Sequence, residues 1–165
     1  VHIDLIGTVA VPLLMIFGPF GMGRFMIGWA KPVPVNPQNL RNKNFDDILV
    51  TMAGPGMNLI LAVGLVALMR VSVAFHSVQL ALLCDQAARL SLLLCFFNLI
   101  PIPPLDGSHV LRVATGMSWE AYAKFASFGF VIVILALQIP SVQAALAGAT
   151  DGTLYFLERL FGMNF

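Results

Sequence analysis

The chain has 165 residues, of which 59% are apolar and only 10% charged, with a formal charge of +1. Soluble domains carry about 45–50% apolar and about 25% charged residues, and eight acidic plus nine basic side chains cannot clothe a globule of this length in water. A water-soluble fold is excluded on that ground, and the near-neutral charge without a basic run excludes nucleic acid as a partner.

A helix that crosses a hydrocarbon core needs about 20 predominantly apolar residues, and four stretches meet that need. Residues 5–23 are uncharged, but Pro12, Pro19 and four glycines break the far end. Residues 28–37 follow, with Pro32, Pro34 and Pro37 near alternation. Proline cannot donate to a helix ladder, so this piece reads as an extended or re-entrant hairpin that protein or a water-filled cavity must cover. Residues 48–69 form a cleaner span. Residues 80–100 form the third, with Asp85 and Arg89 four apart on one face as an ion pair toward the helix end. Residues 101–107 are non-helical because Pro101, Pro103 and Pro104 crowd them. Residues 125–148 are the longest uncharged run, helical as far as Ile139, with Pro140 as a kink or end. Residues 153–165 read as a short amphipathic helix lying along the membrane surface.

The fold class is therefore an all-α polytopic membrane protein of about four transmembrane helices, in a single membrane-embedded domain over residues 1–165. Four Lys/Arg lie in residues 24–43 and two in residues 112–124, which places both loops on the cytoplasmic side. The chain opens at Val1 with no Met and no basic leader, and reads as the interior of a longer gene product. Cys84 and Cys95 lack the spacing of a redox or metal pair and read as small buried hydrophobes.

Asp106 is the most informative residue. An ionisable group in an apolar, proline-broken membrane stretch is costly and by default functional. A metal, a basic partner such as Arg112, or solvation at the interface could compensate it, and a plain alternative is a cap on the helix that starts at Gly107 or Ser108. Asn98 stands just before the break, where its amide could serve substrate groups or the carbonyls freed by the prolines. Gly54 and Asn58 sit in the second span; alone they say close helix packing and an interhelical hydrogen bond.

Taken together, Gly28-Trp29-Ala30-Lys31-Pro32-Val33-Pro34-Val35-Asn36, Ala53-Gly54-Pro55-Gly56-Met57-Asn58 and Asn98-Leu99-Ile100-Pro101-Ile102-Pro103-Pro104-Leu105-Asp106-Gly107 resemble, in order, three landmarks of the site-2 protease family of intramembrane zinc metalloproteases. The opening His2-Ile3-Asp4-Leu5-Ile6-Gly7-Thr8 resembles the stretch after that family's first zinc-binding helix. The resemblance implies that Asp106 is a zinc ligand and that Asn98 stabilises the transition state. It further implies that Gly54 and Asn58 line the substrate region, and that the proline-rich piece presents an edge to an unwound substrate. The implied activity is cleavage of transmembrane segments of membrane-bound regulatory proteins, in a lipid bilayer and with one Zn2+, in a bacterial inner membrane.

One departure is large. The family's His-Glu-x-x-His helix, whose imidazoles share a face and whose Glu activates water, is not in this sequence: the histidines are His2, His76 and His109, none four apart. The two remaining ligands and the base are expected upstream of Val1, and the chain alone is expected to bind zinc weakly and cleave nothing. His109 and His2 are not family ligand positions. Two other readings use the same residues: a pseudoprotease that binds transmembrane helices without cutting, and an ion-coupled transporter in which Asp106 carries the ion.

Overall fold

The computed structural model describes residues 43–163, which fall within one compact unit, Arg41–Phe165. The first expected span and the proline-rich hairpin lie outside the described residues. Five helices follow in order: α1 Lys43–Ala74, α2 Val78–Asn98, α3 Gly107–Thr115, α4 Trp119–Leu137 and α5 Pro140–Leu160. Three are long and apolar enough to cross a membrane, over Phe45–Ala74, Val78–Asn98 and Trp119–Leu137. Among the described residues all regular structure is helical, in keeping with the all-α polytopic membrane protein that the composition calls for.

α1 has 32 residues, or about 48 Å at the usual rise, and so outreaches a hydrocarbon core of about 30 Å. It starts before the uncharged run, with Asp46 in its first turn and Asp47 just after. Acidic groups are favoured there by the helix dipole. A three-residue turn returns the chain into α2. His76 takes the left-handed conformation (φ 58°), with its amide on the Val73 carbonyl (3.0 Å) and the Ser77 amide on the Ser72 carbonyl (2.9 Å). That pair of bonds is a Schellman ending with histidine where glycine is usual, and it gives His76 a structural role.

The core lies between α1, α2 and α5. Ala62, Val66 and Met69 of α1 meet Cys84, Ala88 and Leu92 of α2, with Leu154 and Leu157 of α5 closing the third side. Ala62 and Ala88 are both fully buried, and small side chains let the backbones approach. The Ser91 hydroxyl donates to the Asn58 carbonyl across that seam (2.8 Å). The expected Asp85–Arg89 pair is present (3.1 Å), and Arg89 also reaches Asp151 of α5 (2.6 Å).

The reading of residues 125–148 as helical as far as Ile139, with Pro140 as a kink or end, agrees with a helix that stops at Leu137. α4 begins earlier, at Trp119, where the Ser118 side chain accepts the Ala121 amide (3.2 Å). It ends before Pro140, which then starts α5 at its first position, where a missing N–H costs nothing. The helix that contains Thr153 is α5, beginning at Pro140 rather than at Thr153.

Candidate metal centre

The break between α2 and α3 builds the site. Proline-rich backbone leaves α2 after Asn98, and the Leu99 and Ile100 amides fold back onto Cys95, Phe96 and Phe97. Pro103 is fully buried and joins Pro104 through a cis peptide bond. Two glycines hold this segment backbone to backbone. A Cβ on Gly107 would collide with the carbonyls of Leu99 and Ile100, and one on Gly129 of α4 with the carbonyl of Pro103. The Asp-Gly pair thus has a steric logic: only glycine lets the start of α3 lie against the end of α2.

Asp106 precedes α3 at the cap position, yet its backbone is already helical and its side chain makes no capping hydrogen bond. The capping alternative is therefore not what the structure shows. The carboxylate is turned toward α1 instead, with Oδ2 3.1 Å from where a Cβ on Gly54 would stand. Gly54 and Asp106, 52 positions apart, are neighbours in space. Asn58 follows Gly54 by one turn of α1 and is half-buried, as is Asn98 at the end of α2.

Arg112 does not compensate Asp106. Its guanidinium is buried and donates from Nη2 to Asp47 of α1 (3.0 Å), while lying over the Trp119 ring at 4.1 Å. The same Asp47 carboxylate faces His109 Nδ1 from both oxygens (3.2 and 3.1 Å). A carboxylate that accepts from Arg112 can only accept here too, so Nδ1 carries the proton. The His109 ring packs on Tyr122 (5.2 Å between centroids). Ser108 spends its one proton on the Leu105 carbonyl (2.6 Å), which leaves the Tyr122 hydroxyl as donor to Ser108 Oγ (2.8 Å). This polar cluster was not legible in the sequence: Asp47 lies 62 positions from His109 and 65 from Arg112.

Among the described residues, no three His, Cys, Asp or Glu side chains converge as a zinc centre requires. Asp106 fits as one ligand, a half-buried carboxylate uncommitted to a cap and facing a neighbouring helix. An open cavity of about 380 Å³ lies beside Gly107, lined also by Met52, Leu99, Pro101, Val110, Leu111 and Ala114; Asp106 itself is not in its lining.

Comparison with known proteins bears on this arrangement. Residues 71–138, which include the break and Asp106, match the model of peptidase family M50. Over that stretch the chain resembles the family. The chain is also 33% identical over 151 residues to "Putative zinc metalloprotease YwhC" of Bacillus subtilis (strain 168). That match covers 84% of this chain, which spans 62% of the relative's length. No solved structure matches the chain significantly.

Proposed function

We propose that the intact gene product is a site-2-type intramembrane metalloendopeptidase that cleaves transmembrane segments of membrane-bound regulatory proteins, in a bacterial inner membrane. The observation that carries this reading is the orientation of Asp106: a carboxylate at a proline-broken helix start, facing Gly54 across the seam and not spent on a cap. In this reading Asp106 is one protein ligand of a single Zn2+, and the others come from residues upstream of Val1. Bound zinc supplies a polarised scissile carbonyl and a water of lowered pKa.

The chain's own residues prepare the substrate. A helical segment hides its carbonyls in hydrogen bonds, so it must unwind before attack. Gly54 and Asn58 present a face with little side-chain bulk to the unwound strand. Asn98, at the last position of α2, is placed in this reading to donate to the oxyanion that develops on the carbonyl. A pseudoprotease that binds transmembrane helices without cutting would use the same residues; a His-Glu-x-x-His helix found in the full-length product would decide against it, and its absence there would favour it.

The test uses the full-length product in detergent with a model transmembrane substrate. Asp106→Asn is expected to lose stoichiometric zinc and to abolish cleavage. Asn98→Ala is expected to keep its zinc and to lose about 100-fold or more in turnover, the usual effect of removing one oxyanion donor. Full cleavage by Asp106→Asn would refute the assignment, and zinc loss in Asn98→Ala would make that residue structural.

A further inference from the structure

We propose that Asp47 is a positioning residue, which sets the register of α3 on α1 and thereby fixes where the Asp106 carboxylate stands. The inference rests on the reading of Asp106 as a metal ligand. α3 has nine residues, too few to persist by its own hydrogen bonds. Its only covalent tethers are the proline-rich break before it and a turn of three residues after it, where Gly116 takes the left-handed conformation (φ 66°). Apolar contacts alone would let such a short helix slide or roll, because they are non-directional.

The polar contacts remove that freedom. Asp47 and Gly54 are seven residues apart on α1, two turns along one face and about 10 Å at the usual rise. Asp106, His109 and Arg112 follow at three-residue spacing along one side of α3. His109 and Arg112 converge on Asp47 (3.1 and 3.0 Å), while Asp106 abuts Gly54. α3 is thus attached to α1 at two points whose spacings agree, so moving one point moves the other. On its far side α3 leans on α4: Arg112 lies on Trp119, His109 on Tyr122, and Tyr122 donates to Ser108. Asp47 is the only one of these groups on α1, and its side chain is 13% exposed. Charge-assisted bonds at such a site are directional and stronger than neutral ones.

The experiment compares Asp47→Asn, Asp47→Glu and Asp106→Asn in the full-length product. Zinc affinity is measured by competition with a chelator, and kcat and KM on the model substrate. Hydrogen exchange of the α3 amides in zinc-free protein is the metal-independent readout. Asp47→Asn is expected to lose about 10- to 100-fold in zinc affinity, the range seen when a group that orients a ligand is removed. It should lower kcat with KM nearly unchanged and speed exchange across residues 107–115, while Asp47→Glu recovers much of each. A merely structural role would lower the melting temperature without the kcat–KM split or the recovery by glutamate. Should Asp47→Asn misfold, His109→Gln keeps the Asp47–Arg112 pair and is expected to show a smaller loss of the same kind. Wild-type zinc affinity and exchange in Asp47→Asn, with zinc lost in Asp106→Asn, overturn the positioning role and leave the metal reading standing. Unchanged zinc in both overturns the metal reading and this one with it.

Discussion

Gly54 shows how narrowly one atom can be constrained. In an exposed helix, Gly→Ala is worth about 1 kcal/mol in favour of alanine. A Cβ at this position would stand 3.1 Å from Asp106 Oδ2, closer than a comfortable contact, so the carboxylate must move by a few tenths of an ångström. The two effects act on different observables. Gly54→Ala is expected to leave stability within about 1 kcal/mol of wild type while weakening zinc by about tenfold or more, read by chelator competition beside a thermal melt. Equal zinc affinity would show that the carboxylate is not held at its present place. The sequence singles out Asp106 as a candidate because a lone acid among prolines and aliphatic residues is costly without a purpose, and the structure adds that it is not spent on a cap. Its surroundings were not legible in the sequence. Arg112 stood out as a nearby cation, but proximity in sequence misled, since Arg112 points to Asp47 on another helix. Asp47 carried no signal of its own, being one of two adjacent acids at the start of a span.

At the scale of elements, the uncharged runs located α1 and α2 well, because the cost of charge in hydrocarbon bounds a span from both sides. They located α4 poorly, because Glu120 and Lys124 sit inside its first turns, and a search for uncharged residues starts too late. The signal that marks its true start is Ser118, a residue type that caps helices. Pro140 was read correctly as an end, but proline also begins helices, and α5 starts on it. The break itself is fixed by contact between backbones, which leads to a paired test. Gly129→Ala puts a methyl into the Pro103 carbonyl and is expected to cost about 1–3 kcal/mol, as overpacking does. Gly148→Ala in α5 meets nothing within 4 Å among the described residues and is expected to be neutral or to gain up to about 1 kcal/mol. Equilibrium unfolding in mixed micelles separates the two, and equal stabilities would remove the close approach of α4 to the break.

For the whole molecule, the α1–α2 hairpin has a topological consequence. Its two arms run antiparallel, so the His76 turn lies at one end and the α2–α3 break at the other. By the positive-inside rule, the excess of Lys/Arg in residues 24–43 and 112–124 predicts that the break and the Asp47 cluster face the cytoplasm. A cysteine placed at His76 should therefore react with a membrane-impermeant maleimide added outside intact cells, and one placed at Met117 only in inverted vesicles. The reverse pattern would invert the protein and move the proposed metal site to the other face.

Cys84 and Cys95 are 3% and 5% exposed, both on α2. A thiol reagent therefore finds almost no purchase on the native protein, and the slow appearance of adduct becomes an intrinsic clock for opening of the bundle. Solubilising agents can be ranked by how far they slow that clock, with no dye or tag attached.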